Sequence, residues 1–391
     1  MPNTGQKDSR RILIFSAVYL PSIGGIEIFT KNIADSLVQK GYYVDVVTNN
    51  TKGLADYEHT DNIDIYRLPC ISLFDGRLPL PLLNSCFLSL WNQIKKARHD
   101  GVLINARFYP HSILGLMCAK VKKLRPIVLD HGSAYLTFGN TFIDVFVKAY
   151  EHLITFVTKL FNPLYYGVSM KSAEWLKTFN IEAHGVIPNS IDAISFRSSA
   201  SKRNFKNEFD CSPDSFIVVF YGRLIPEKGI NCLLEAAELL KDYPISFLIA
   251  GDGPLRSVVE LASNESVKYL GRLDSSDVSA LLSQSNLMCL PTRSEGFSTA
   301  LLEASSWGVP TVIPNVGGVC ELILDKTFGC VIDEVTPEKV AEAIYNSYTN
   351  KELHKIRGIK VKERVESEYN WNTTANILLD AFDCQALLEN D

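Results

Sequence analysis

The chain has 391 residues, 46% hydrophobic and 21% charged, the balance of a soluble globular protein. No uncharged apolar run approaches the roughly 20 residues of a membrane-crossing helix, and the polar start with Arg10 and Arg11 does not read as a signal peptide. The 9 cysteines form neither a C-x-x-C nor a Cys/His cluster at metal spacing, which argues against a zinc module and places them as small buried hydrophobes in a reducing, cytoplasmic compartment.

This length suggests two domains of roughly 190 residues, each able to bury its own core. The net charge of −5 hides an asymmetry. Residues 1–190 carry 20 Lys+Arg against 15 Asp+Glu, and the remainder 19 against 29, so the halves stand at +5 and −10. A basic half beside an acidic one points to an anionic surface met on one side, or to charge that simply varies between domains.

Arg11 to Ser16 predicts a short buried strand, followed by the loop Pro21-Ser22-Ile23-Gly24-Gly25 and an amphipathic helix from about Glu27 to Lys40. With the strand Val44 to Thr48 this makes a βαβ unit of Rossmann type. Adjacent glycines let backbone approach a ligand, and the following helix start favours an anion; a plain turn explains the pair equally well. Residues 68–94 mix apolar residues with prolines, read as an apolar loop, and precede the cluster Lys95, Lys96 and Arg98. That combination fits docking at a bilayer surface or ordinary packing. The runs Asp56-Tyr57-Glu58 and Asp61-Asn62-Ile63-Asp64 read as isolated loops, and neither holds an Asp-x-Asp of the kind that chelates a metal ion.

A strand (Val102 to Ala106), a helix (about His111 to Leu124) and a strand (Ile127 to Asp130) follow, with His131 at the carboxyl end of the last. Open α/β sheets bind ligands there, though a lone histidine is more often structural. Across residues 142–162, Asp144, Lys148, Glu151 with His152, Thr155, Thr158 with Lys159, and Asn162 form a narrow polar stripe on an otherwise apolar helix. Its wide apolar face fits core burial or contact with membrane or a lipid tail. Tyr166 to Ser169 and Gly185 to Ile187 close the domain as strands, and the polar run Ser198 to Asn207 reads as linker.

The second domain alternates strands (Phe216 to Tyr221, Ser246 to Ala250, Leu287 to Leu290, Thr311 to Ile313) with helices around 230–240, 276–285, 299–307 and 337–349. After its first strand, Gly222-Arg223-Leu224-Ile225-Pro226-Glu227-Lys228-Gly229 places an arginine and a lysine five apart in a glycine-bounded loop. Such a pair can hold a pyrophosphate from two sides. In residues 291–310, Glu295 and Gly296 precede a helix that Ser298 or Thr299 caps and Gly308 stops. Glu295 and Glu303 can then face one ligand lying across the helix start, a loop carboxylate and a helical one accepting from sugar hydroxyls. The bland alternative is two solvated glutamates.

The E-x7-E arrangement of EGFSTALLEASSWGVPTV resembles that of the retaining GT-B glycosyltransferases of family 4. Further elements stand in that family's order: Gly24-Gly25-Ile26-Glu27 as its GG-x-E, Pro188-Asn189-Ser190-Ile191-Asp192 as its P-N-G-V-D with serine for glycine, Gly222 to Gly229 as its G-R-L-x-x-x-K-G, and the glycine loops Gly251–Pro254 and Gly317–Gly318. For those last two loops a turn is explanation enough. The resemblance implies an α/β fold of two Rossmann-like domains facing a central cleft. Residues 1–192 would bind acceptor, 205–370 would bind the nucleotide-sugar, and a C-terminal helix (about 371–391) would cross back to the first domain.

The resemblance also implies that Gly24, Gly25, Arg223, Lys228, Gly296, Phe297, Ser298 and Glu303 bind donor, while Glu295 and His131 are catalytic. Glu295 would hold sugar hydroxyls and Glu303 the ribose, and His131 would stabilise the developing sugar cation or orient its hydroxyl. No metal or cofactor is expected, since Arg223, Lys228 and a helix dipole neutralise the leaving diphosphate. The expected donor is a UDP-sugar, and the expected acceptor a glycan or lipid-linked molecule of cell-surface polysaccharide biosynthesis at the cytoplasmic membrane face; nucleic acid is not an expected partner. Two rival readings are a nucleotide-sugar epimerase on the same architecture and a non-catalytic nucleotide-sugar-binding partner.

Overall fold

A computed structural model describes residues 10–73, 76, 78–137 and 141–388. The chain divides into two compact units, residues 1–188 with 371–391, and residues 189–370.

The first unit is built on an eight-stranded sheet whose order is Gly185–Val186, Leu164–Gly167, Ile127–Asp130, Gly101–Asn105, Arg11–Ser16, Tyr43–Asn49, Ile63–Leu68, Tyr57–Thr60. Every neighbouring pair is parallel except the last two strands. Leu13, Ile14 and Phe15 are wholly buried, the continuous apolar run of a strand covered on both faces. The first strand lies between Tyr43–Asn49 and Gly101–Asn105, and the chain proceeds outward on either side of it. That reversal opens a crevice at the strands' carboxyl ends.

Several sequence readings need correction here. The supposed loops at 56–64 are a hairpin, Tyr57–Thr60 against Ile63–Leu68, turned through Asp61 and Asn62 at φ 44° and 68°. Asp and Asn tolerate that left-handed backbone, and Tyr57–Thr60 carries no burial pattern because all four residues are exposed. The apolar loop at 68–94 is a second hairpin, Cys70–Leu73 with Leu78–Pro81, and a helix, Ser85–Lys96. Asn84 caps that helix by accepting from the Phe87 N–H, and Phe87, Leu90 and Ile94 are its buried face.

The helix Thr141–Lys159 is turned opposite to the core reading of its apolar face. Glu151, Thr155 and Thr158 are buried, while Phe142, Phe146, Leu153, Phe156 and Leu160 are 62–74% exposed. The Glu151 to Thr158 part of the polar stripe points inward, where the buried Arg107 pairs with Glu151, while Lys148 and His152 stay exposed.

The C-terminal helix Trp371–Leu388 belongs to the first unit. Ser36 Oγ donates to the Trp371 carbonyl at 3.1 Å, and the Phe29 and Trp371 rings meet edge-on at 5.5 Å. Its end brings four acidic residues, so the first unit holds 20 basic against 19 acidic and the second 19 against 25. The strong basic-half, acidic-half contrast thus shrinks to +1 and −6.

The second unit carries six parallel strands in the order Val267–Gly271, Ile245–Asp252, Phe216–Arg223, Leu287–Cys289, Thr311–Pro314, Cys330–Ile332. Its reversal falls between Phe216–Arg223 and Leu287–Cys289. Residues 198–207 are not a free linker. They run from the end of helix Ala193–Ser198 into helix Phe205–Glu208, with Phe205 fully buried and Arg203 paired to Glu208 at 2.6 Å and Asp277 at 2.7 Å. Polar composition here reflects paired side chains. Ser190 is nearly buried and is not left-handed, so the family's glycine is not required at that place.

Candidate active site

In the second unit the sequence-predicted groups converge on the carboxyl ends of the strands at the reversal. Arg223 ends strand Phe216–Arg223, is exposed, and makes no ion pair among the described residues. The chain then turns through Pro226–Lys228 to Gly229, whose left-handed backbone starts helix Ile230–Leu239. A Cβ at Gly229 would collide with the Pro291 carbonyl oxygen, so this basic loop is packed onto the loop that carries Glu295. The Arg293 N–H donates to the Glu227 carbonyl at 2.8 Å, closing the same contact. Lys228 Nζ and Glu295 Oε1 form a close ion pair.

Glu295 and Gly296 lead into helix Thr299–Ser306. Ser298 caps it, its Oγ accepting from the Leu301 N–H, so the hydroxyl is engaged and the first-turn backbone N–H groups are what the helix offers a ligand. The Phe297 ring is buried against Tyr369 at 5.3 Å and against Gly318, so this residue serves as a wedge under the loop. Gly317, at φ 51°, touches the Glu295 and Gly296 carbonyls where no side chain fits. Gly317 and Gly318 therefore shape the Glu295 loop, a role their reading as a plain turn missed. So does Asn189, whose Nδ2 donates to Thr299 Oγ1 at 3.3 Å. It sits in a motif legible by resemblance, but its contact lies 110 residues away.

Glu303 stands in the helix's second turn and is half-buried. Tyr221 Oη lies 2.9 Å from Glu303 Oε2 and 3.0 Å from the Ala300 carbonyl oxygen. Desolvation pushes the Glu303 carboxyl up to about 7, against the hydrogen bond from Tyr221, which favours the charged form.

Gly24, Gly25 and His131 lie in the first unit. Gly24 precedes helix Gly25–Gln39 in extended backbone, and the space beside Gly25 is open. The Glu27 carboxylate folds back over Gly24, at the helix start expected to receive phosphate. Burial raises the Glu27 carboxyl above its ordinary range, which weakens its competition with a bound anion.

His131 Nε2 lies 3.0 Å from Asn105 Oδ1. Asn105 Nδ2 donates to Thr30 Oγ1 at 2.9 Å, and Thr30 Oγ1 donates to the Ile26 carbonyl at 2.7 Å. A hydrogen-bond chain so joins His131 to the first turn of the Gly24-Gly25 helix. Asn105 Oδ1 only accepts, so Nε2 carries the proton and Nδ1 holds a lone pair. Desolvation pushes the His131 pKa down to about 3, so the ring is neutral. A neutral ring with a lone pair on Nδ1 can accept from a hydroxyl and does not repel a developing cation, so both roles implied by resemblance are compatible with it.

Behind His131, Arg107 lies between Asp130 (3.4 Å) and Glu151 (3.0 Å), all three about 1% exposed, with the Phe179 ring 3.9 Å from the guanidinium. Burial raises both carboxyls, and Arg107 opposes the rise. No local spacing marks this triad, whose members come from a strand-end loop, a strand and a helix.

Comparison with known proteins follows the same division. The model for glycosyl transferases group 1 matches residues 201–364, and that for glycosyltransferase family 4 matches residues 23–194. An uncharacterized glycosyltransferase of Methanocaldococcus jannaschii is 25% identical over 92% of this chain and 95% of its own. UDP-Gal:alpha-D-GlcNAc-diphosphoundecaprenol alpha-1,3-galactosyltransferase of Escherichia coli is 22% identical over 92% and 97%. The structure of Anabaena HepE in complex with UDP and glucose aligns over 95% of this chain and 99% of its own, with a TM-score of 0.69 and 16% identity.

Proposed function

The chain is a family 4 glycosyltransferase of GT-B architecture, and we propose that it moves a sugar from a UDP-sugar to a lipid-linked acceptor, retaining configuration and using no metal ion. The observation that carries this reading is the second unit's convergence of Arg223, Lys228, Glu295 and Glu303 at the strand reversal. Arg223 and Lys228 hold the diphosphate, with the first-turn N–H groups of helix Thr299–Ser306 adding partial positive charge. Glu295, steadied by Lys228, accepts from sugar hydroxyls, and Glu303 accepts from the ribose diol. Departure of the nucleoside diphosphate is the step these cations favour. Its oxygen then takes the acceptor's proton, so no separate base is required. In the first unit, neutral His131 offers Nδ1 as an acceptor for a hydroxyl, and the Gly24-Gly25 backbone at its helix start offers N–H groups to an anion.

UDP is favoured because the HepE complex contains UDP and the E. coli relative is named for UDP-Gal. That relative's name also gives its acceptor as a diphosphoundecaprenol-linked sugar. No described helix is long and apolar enough to cross a membrane. The outward apolar face of Thr141–Lys159 instead suits a lipid surface, reached from one side. The exposed cations Lys96, Arg98, Lys120 and Lys123, on neighbouring helices of the unit, supply attraction to anionic headgroups.

Thermal-shift screening against UDP- and GDP-sugars, followed by turnover in EDTA and NMR of the product anomer, tests the reading. At 100 Kd a bound donor adds about 2.7 kcal/mol to stability. Stabilisation by GDP-sugars alone, an inverted product, or a strict requirement for Mg²⁺ or Mn²⁺ would overturn the corresponding part.

A further inference from the structure

Tyr221 occupies a position that the donor-site reading does not use. It lies on strand Phe216–Arg223, two residues before Arg223, and reaches across to helix Thr299–Ser306. Its single hydroxyl proton has two acceptors at nearly equal distance, Glu303 Oε2 at 2.9 Å and the Ala300 carbonyl at 3.0 Å. With Glu303 ionised, the tyrosine donates to the carboxylate. With Glu303 protonated, the carboxyl donates to the phenolic oxygen and the phenol proton turns to Ala300. Neither arrangement leaves this pair of groups unsatisfied, so the site accommodates both protonation states without moving a side chain.

A ribose diol that donates both its O–H groups is held more strongly by the ionised carboxylate, whose lone pairs accept from both hydroxyls and from Tyr221 together. We propose that Tyr221 is a positioning residue that holds Glu303 ready in either protonation state, so that nucleotide binding below neutral pH releases one proton from Glu303 to solvent. This rests on the reading that Glu303 receives the ribose hydroxyls.

The surroundings leave this exchange to the two residues. Desolvation and Tyr221 are what act on Glu303, placing its titration at about 7. Tyr221 itself is held well above its ordinary range by burial and by the neighbouring carboxylate, and stays protonated. Among the charged groups on the elements packed around the helix, Arg197 pairs with Glu366, Asp277 with Arg203 and Arg364 with Glu368. Lys228 pairs with Glu295 on the adjoining loop, and Arg223 is exposed on the Tyr221 strand.

The test is calorimetry with UDP-glucose, whose doubly esterified diphosphate has no group titrating in this range. Binding should weaken about tenfold from pH 8 to pH 6, and heats in buffers of different ionisation enthalpy should report close to one proton released at pH 6 and almost none at pH 8.5. Y221F removes the hydrogen bond that favours the ionised form, so it should bind severalfold more weakly than wild type at pH 7 and recover at pH 8.5. A deficit of equal size at both pH values would reduce Tyr221 to a packing residue and overturn the proposal. Flat affinity with no buffer-dependent heat, alongside weak binding by E303Q, would overturn it while leaving the ribose assignment standing. Wild-type affinity of E303Q at pH 8 would remove the assignment itself.

Discussion

The two units share a plan and handle charge in opposite ways. Each has a mainly parallel sheet whose order reverses at its first strand. At that end of the second unit, Arg223 is exposed, Lys228 and Glu295 pair at half-buried positions, and Glu303 titrates near neutrality. In the first unit the ionisable groups are withdrawn: Arg107, Asp130 and Glu151 are sealed together, and His131 is held neutral. What helix Thr141–Lys159 turns outward is mostly apolar, with Lys148 and His152 beside it. Strand topology sets where a ligand can bind; the residues at the strand ends decide whether the site answers to phosphate charge or to hydroxyls and lipid.

The largest test of this contrast is R107M. Removing one partner leaves two buried carboxyls uncompensated, at a cost of about 3–5 kcal/mol seen as a lower Tm. Both carboxyls already have raised pKa values, so the folded state holds more protons than the unfolded one and stability falls as pH rises above the ordinary carboxylate range. The R107M penalty should therefore be smaller at pH 5 than at pH 8. An equal penalty at both would mean that the triad's charge is not what matters.

In the second unit, R223A and K228A should each lower kcat/KM by about 10²–10³ with little change in Tm, and the double variant should lose less than the product of the two. Full additivity would show that they do not act on one diphosphate. E295Q should lower kcat more than it raises KM, because sugar positioning matters in the transition state.

Smaller effects are expected at the first unit's surface. Replacing Lys95, Lys96 and Arg98 by serine should weaken sedimentation with anionic liposomes by roughly 1 kcal/mol per charge at low salt, without touching donor binding. Smallest of all should be the stability change in L153S or F156S, within about 0.5 kcal/mol, whereas a core position would cost about 2–5. Liposome binding should nevertheless fall in both. A large loss of Tm would return this face to the interior.

The loops of the candidate site were legible because their pattern is local: Gly222 to Gly229 and Glu295 to Glu303 put charge and glycine at fixed short spacings. Most of the strands and helices were legible from period and apolar runs. The facing of helix Thr141–Lys159 was not, since a wheel separates two faces without saying which one turns inward; Arg107, 44 residues from Glu151, decides that. Arg203 likewise looked like linker because its partner Asp277 lies 74 residues away. Tyr221 passed as an ordinary strand aromatic, with Glu303 82 residues further on. The charge of each unit could not be read by cutting the chain at its middle, because helix Trp371–Leu388 belongs to the first.

The hydrogen-bond chain from His131 through Asn105 and Thr30 to Ile26 has a direction, every donor pointing toward the helix. Reversing one link would strand the next, so the imidazole presents a receiver and never a giver to whatever lies against it. Under the proposed function, such a site would read the presence of a hydroxyl hydrogen. Deoxygenated or fluorinated sugars, though nearly the same size, should be discriminated against at that position, whereas inversion of a distant hydroxyl should pass unnoticed by this residue. Selectivity of that kind is grammatical, set by who may speak to whom, and it survives changes in pocket volume.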